Sequence, residues 1–274
     1  MLNNLRCLVN IREVVFLITP NWFRDFAGAW LFYTILPQLP SVKPQFKRIA
    51  RFAPLIGIII GLIKVSIWVL LSKFNWPRNS LPFIIIAVEI IVTGGIHLDG
   101  LIDTADGIGA GEERQIEAMK DSRIGAIGVL SLIVILLIQI ACMLKLGNNI
   151  IIALPTASFG SRLSTLWAIG HFPYIQKEGS GKIHKDNWQN GFKELIPSII
   201  VIISSFIILT ISPINSQLIL LLYIGFLIGI TPLFWLANTI NIRFKGYNGD
   251  SYGALLVIIE TTILFTLAII LPEV

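Results

Sequence analysis

The sequence predicts an all-α, polytopic membrane helical bundle of about seven transmembrane helices, preceded by an interfacial or re-entrant helix. Three observations carry that reading. Apolar residues make up 55% of the chain and the mean hydropathy is +0.80. Charged residues are 14%, against about 25% in a soluble domain. The apolar residues also come in blocks near the ~20-residue length that crosses a bilayer as a helix.

Residues 14–38 form an apolar stretch broken by Pro20, Arg24 and Asp25, which fits a helix in the interface or re-entering it better than a clean span. Spans follow at roughly 52–74, 82–98, 127–146, 150–170, 195–212, 218–238 and 253–271. Each is long enough, at ~1.5 Å per residue, to cross most or all of a ~30 Å hydrocarbon core. No internal repeat or low-complexity tract divides the sequence, so residues 1–274 read as one integral-membrane catalytic domain. At the N-terminus, Arg6 and Arg12 precede a short apolar run without a small-residue cleavage site, so this segment reads as retained.

The net charge of +5 would suggest nucleic acid in a soluble chain; here it follows the loops, and no nucleic acid is expected. Loops 41–51, 99–126, 171–194 and 241–252 hold most of the Lys and Arg, while the alternate loops hold little beyond Arg78. That asymmetry predicts that the basic loops face the cytoplasm of a prokaryotic inner membrane. Cys7 and Cys142 are far apart, so neither a disulfide framework nor a thiol metal site is expected.

The stretch Gly94-Gly95-Ile96-His97-Leu98-Asp99-Gly100-Leu101-Ile102-Asp103-Thr104-Ala105-Asp106-Gly107 carries the chemistry. On a helix, Asp99, Asp103 and Asp106 are spaced i, i+4, i+7 and share one face. Three like charges there repel unless cations lie among them, and hard oxygen ligands suit Mg²⁺. A solvated acidic turn is the alternative. Gly100 and Gly107 weaken the helix, a cost that makes sense where backbone approaches a bulky phosphate ligand. His97 falls on the opposite face of an unbroken helix, and reaches the aspartates only if the glycines break it.

Further on, Lys120 and Arg123 are i, i+3 neighbours able to meet one diphosphate, with Asp121 as a further metal ligand; positive-inside anchoring is the plainer account of the two cations. Gly249-Asp250 opens the last span, where Asp250 is a substrate-side carboxylate or a helix N-cap. Glu89, Arg162 and Glu260 lie at similar depth in three spans, where charges pair or line wet cavities. Arg162 is expected to bridge the two glutamates.

Together these residues resemble the cobalamin synthases, or adenosylcobinamide-GDP ribazoletransferases. The likeness rests on His97-Leu98-Asp99-Gly100-Leu101-Ile102-Asp103-Thr104-Ala105-Asp106-Gly107, on Met119-Lys120-Asp121-Ser122-Arg123-Ile124-Gly125, and on Gly249-Asp250 with Gly253-Ala254 and Glu260. It extends to Leu36-Pro37 and Pro54-Leu55-Ile56-Gly57. One position departs: Asn248 stands where the family often has threonine.

The resemblance implies a Mg²⁺-dependent enzyme that joins adenosylcobinamide-GDP to α-ribazole or its 5′-phosphate, releasing GMP. Asp99, Asp103, Asp106 and His97 would be its catalytic residues, with Asp99, Asp103, Asp106 and Asp121 on the metal and Asp250 as a further candidate ligand. Lys120, Arg123, Gly100, Gly107 and Asp250 would meet substrate. It leaves the oligomeric state open, a homo-oligomer included. The alternatives are a CDP-alcohol phosphotransferase or prenyltransferase, disfavoured because no Ala-Arg pair follows Asp99-Gly100, and a transporter using intramembrane acids.

Overall fold

The structure, a computed structural model, describes residues 19–179, 181–213 and 215–272. Arg6, Cys7, Arg12, residues 14–18 and the C-terminal Glu273-Val274 lie outside the described residues. Within them the longer elements are helices: α1 Asn21–Tyr33, α2 Ala53–Lys73, α3 Leu81–Thr93, α4 Ile96–Gly109, α5 Gln115–Ala118 and α6 Ala126–Leu146. The chain continues with α7 Ile150–His171, α8 Lys182–Asp186, α9 Gly191–Ile211, α10 Ser216–Ile230, α11 Pro232–Phe244 and α12 Gly249–Ile270.

Five helical stretches are long and apolar enough to cross a membrane: Ala50–Lys73, Ala126–His171, Gly191–Ile211, Ser216–Phe244 and Gly249–Ile270. A sixth is added if α3 and α4 count as one broken span. The expected count of seven is not established by this measure. The longest stretch is a hairpin, as its contacts with α12 demonstrate. Gln139 on α6 donates to Thr261 at 2.9 Å, and Ser158 on α7 donates to Glu260 at 2.7 Å. Between them, Asn149 donates to the Pro272 carbonyl at 2.7 Å, beyond the end of α12. A straight helix would hold residues 139 and 158 about 28 Å apart, yet both meet adjacent residues. The reversal occurs at Gly147, whose φ is +52°.

The expected span 82–98 is corrected. Its helix stops at Thr93, and α4 leaves at 93° to α3. Gly94 and Gly95 both take left-handed φ, +66° and +73°, which side chains resist and glycine tolerates. This double bend lays the aspartate motif alongside α6 and α12: Leu98 and Ile135 pack against the cluster that holds Leu101 and Val257, and Gly109 meets Ile127.

The helix α12 is the axis of the bundle, with 67% of its apolar window buried against 11% for α9. Beside it, α2 and α7 touch backbone to backbone. A Cβ at Gly57 would strike the Ser158 carbonyl, and one at Gly61 would stand 2.5 Å from the Pro155 Cα. Small residues four apart permit this approach, which is how membrane helices gain dispersion energy.

Four charges pin these helices together. Arg162 stands 3.5 Å from Glu260 and 3.9 Å from Glu89, within ion-pair reach of both glutamates as expected. The short bridge, however, is made by Lys64 on α2, whose Nζ lies 2.9 Å from each glutamate. Glu260 also accepts from Ser158 at 2.7 Å and Ser161 at 3.3 Å. Two cations thus balance two anions in a site where any one alone would be costly. The charge of Lys64 inside an apolar span was the available signal for its part.

The N-terminal helix α1 is 13 residues long and starts after Pro20. Its Asp25 is buried and accepts from the Arg48 backbone at 3.4 Å and the Arg51 side chain at 3.3 Å. The acid that breaks the apolar stretch is therefore an anchor to the loop before α2.

Candidate active site

Beyond the 93° bend α4 runs beside α12, with Gly100 against Asp250 and Leu98 packed on the cluster that holds Ala254 and Val257. The two helices meet at glycines. A Cβ at Gly100 would stand 2.6 Å from the Asp250 carbonyl oxygen, and one at Gly253 would stand 3.3 Å from the His97 Cα. This crossing brings Asp99, on α4, beside Asp250, on α12. Asp103 lies within electrostatic reach of Asp99, Asp250 and Asp106, and Asp250 within reach of Asp99. Among the described residues no protein donor bonds to the Asp99 or Asp103 carboxylate. Like charges thus converge without an internal counterion.

The glycines of the motif have another role than the one expected. Gly100 and Gly107 are both buried. The face of Gly100 is closed by the Asp250 main chain, and that of Gly107 by the Met119 side chain and the Gln115 carbonyl. Neither has room for substrate, and the close approach they permit is between helices.

Asp106 also departs from expectation. Its Oδ2 accepts from the Gly125 N–H and its Oδ1 from the Gly128 N–H, both at 2.7 Å. Those are orphan donors at the start of α6, where the helix dipole favours a negative charge. Side chains at Gly125 or Gly128 would collide with the carboxylate. Asp106 therefore fastens α4 to α6. The sequence signal was Gly125-x-x-Gly128 in the first turn of a span.

Nor does the i, i+3 pairing of Lys120 and Arg123 hold. The helix α5 ends at Ala118, and residues 119–125 are turn and loop. Lys120 is exposed, and Arg123 folds back onto Asp121 at 2.6 Å. That guanidinium holds the Asp121 carboxyl down at about 2. Asp121 is thereby engaged by its own neighbour and not brought to the aspartates of α4.

Asp250 is not the N-cap of α12. Asn248 is: its side chain accepts from the Ser251 N–H at 2.9 Å, and Ser251 Oγ returns the bond to the Asn248 N–H at 2.8 Å. An asparagine caps as well as a hydroxyl residue does, which accounts for Asn248 where threonine is usual. The Asp250 carboxylate accepts from Asn248 Nδ2 at 2.9 Å and is left to face Asp99.

The helix that carries His97 is unbroken from Ile96 to Gly109, so the glycines do not turn His97 toward Asp103 and Asp106. His97 does line a cavity of about 340 Å³ together with Asp99, Asp250, Arg162, His184 and Tyr252. His184 and Tyr252 were not singled out from sequence. Among the described residues no three acidic, histidine or cysteine side chains are assembled around one ion position. Asp99, Asp103 and Asp250 nonetheless supply the hard oxygen donors that Mg²⁺ takes, and that ion needs only one or two carboxylates when phosphates and water complete its shell.

Comparison with known proteins places these features in a family. The family model described as cobalamin-5-phosphate synthase matches residues 25–268. A protein of Prochlorococcus marinus named adenosylcobinamide-GDP ribazoletransferase is 50% identical over 257 residues, covering 93% of this chain and 98% of its own. A same-named protein from another strain of that species is 41% identical over 92% of this chain and 98% of its own. One from Trichormus variabilis is 33% identical over 88% and 94%. No solved structure matches the chain.

Proposed function

This chain belongs to the cobalamin-5-phosphate synthase family, and we propose on that premise that it joins adenosylcobinamide-GDP to α-ribazole or its 5′-phosphate. A ribazole hydroxyl forms the new bond to the cobinamide-linked phosphorus. The bond from that phosphorus to the bridging oxygen breaks, and GMP leaves. The observation that carries this reading is the convergence of Asp103 on Asp99 and Asp250, which line a cavity, with no protein donor on Asp99 or Asp103 among the described residues.

In-line phosphoryl transfer needs positioning and charge neutralisation more than covalent chemistry. When bound at Asp99, Asp103 and Asp250, Mg²⁺ would offset the charge developing on the leaving phosphate. Asp106 fastens α4 to α6 and Gly100 seats α4 on α12, so the carboxylates need not reorganise during the reaction. The groups on the cavity wall able to accept a proton are His97, His184, Asp99 and Asp250. The distribution of Lys and Arg supports a cytoplasmic-membrane protein with its catalytic loops on the cytoplasmic side.

The direct test is purified protein incubated with adenosylcobinamide-GDP, α-ribazole and Mg²⁺. GMP and a cobamide should appear together. Absence of both, in a preparation where a known family enzyme is active, would overturn the assignment.

A further inference from the structure

The 340 Å³ cavity has a feature that the transfer chemistry does not use. Three buried polar side chains on its wall have open positions: Nε and Nη2 of Arg162, Nδ1 of His184, and Oη of Tyr252 meet no hydrogen-bond partner. Arg162 is fully buried, His184 is 6% exposed and Tyr252 5%. They come from three different helices, α7, α8 and α12, so their convergence is a tertiary feature. Leaving several such groups unmatched costs stability unless water or a ligand completes them.

The chemistry of that ligand can be narrowed. The charge of Arg162 is already opposed, because Arg162 and Lys64 balance Glu89 and Glu260. Burial pushes the His184 imidazole down to about 4, so it is neutral. The floor of the cavity therefore calls for a neutral acceptor, not a second anion. One wall is aromatic and fixed: the His184 ring lies parallel to Tyr33, 5.9 Å between centroids, and Phe32 meets it edge-on at 4.8 Å. Tyr252 is stacked on Tyr247 at 4.9 Å. Small-molecule pockets span ~300–1,000 Å³, and this one sits at the lower end. A nucleoside fits such a volume and a corrin macrocycle does not.

We propose that this cavity seats the acceptor nucleoside, with its heteroaromatic base between the aromatic side chains and its ribose at Asp99 and Asp250. The unsubstituted ring nitrogen of the base accepts from Arg162 at the floor. Tyr252 and His184 bond the ribose hydroxyls, which places a sugar oxygen beside the carboxylates. Arg162 interacts with Glu260, ten residues or ~15 Å along α12 from Asp250, and so marks the deep end. This assignment rests on the ribazole-transfer reading and specifies where its smaller substrate binds.

Arg162 also holds Glu260, so its own substitution would disturb the bundle. Its bond is better tested from the ligand side, by calorimetry on the full chain in detergent. α-Ribazole should bind without the donor substrate. The isosteric indole riboside, with C–H in place of the ring nitrogen, should bind about tenfold more weakly, the scale of one buried hydrogen bond. Tyr252→Phe should raise KM for α-ribazole by a similar factor, while KM for adenosylcobinamide-GDP changes less than twofold. Equal affinity for the two ribosides, or a Tyr252→Phe effect on the donor KM alone, would overturn the pocket while leaving the transfer reaction intact. Specific ribazole binding in a protein that never releases GMP would support the pocket and overturn the reaction.

Discussion

Gly100 on α4 lies against the main chain of Asp250 on α12, so close that a methyl group on Gly100 would stand 2.6 Å from the Asp250 carbonyl oxygen. This contact sets the separation of the two acidic helices. Asp99 is adjacent to Gly100 in sequence, and the crossing delivers it to Asp250.

Gly100→Ala should therefore act on the site without touching a carboxylate. Overpacking at a helix crossing costs ~1–3 kcal/mol, and a shift of about 1 Å in a reacting group can cost about 100-fold in rate. A steady-state GMP-release assay with a parallel thermal melt reads both. A variant with wild-type turnover would show that the crossing does not position the aspartates.

The four aspartates divide into two kinds. Asp99→Asn, Asp103→Asn and Asp250→Asn should each remove most turnover with little change in melting temperature, since these groups repel one another. Asp106→Asn should lower both, because an amide accepts through one oxygen only and its NH₂ would face a backbone N–H. The expected destabilisation is ~1–3 kcal/mol. Four melts and four rates separate the classes, and an undiminished melt for Asp106→Asn would refute its anchoring role.

Lys64 should matter for stability more than its position in an apolar span suggests. Removing one member of a buried charge network costs ~3–5 kcal/mol, because a partner is left uncompensated. Lys64→Met should be worse than the double variant Lys64→Met with Glu89→Gln, in which the remaining Arg162 and Glu260 again balance. Equal melting temperatures for the two would mean that Glu89 is neutralised by some other route.

Orientation is open to a labelling experiment. In a background with Cys7 and Cys142 replaced by serine, Glu113→Cys, Glu178→Cys and Lys245→Cys each place a thiol on an exposed position of a basic loop. All three should resist an impermeant reagent outside intact cells and react after lysis. Labelling of any one from outside would reverse the orientation read from the Lys and Arg.

Much of the fold class was legible because hydropathy is a local property. A block of ~20 apolar residues must satisfy its backbone internally and does so as a helix. The aspartate motif was legible for a similar reason, since its spacing fixes a face once the helix is granted. Arg162, Glu89 and Glu260 were legible as a network because charges at equal depth have few other partners. Lys64 carried the same signal and completes that network.

By itself, then, the sequence determined an all-helical membrane chain, its family and the helix that holds the acidic motif. Tertiary structure decided which motif residues face the cavity. The direction of α4 depends on two left-handed glycines, and its neighbours depend on which faces of α6 and α12 are bare enough to approach. Periodicity places Asp99, Asp103 and Asp106 on one side of a helix, but contains no information about what stands opposite. Opposite Asp99 is Asp250, 151 residues away in the chain; opposite Asp106 are the open N–H groups of α6. The same residue type, on the same face, thus becomes a site carboxylate in one case and a helix anchor in the other.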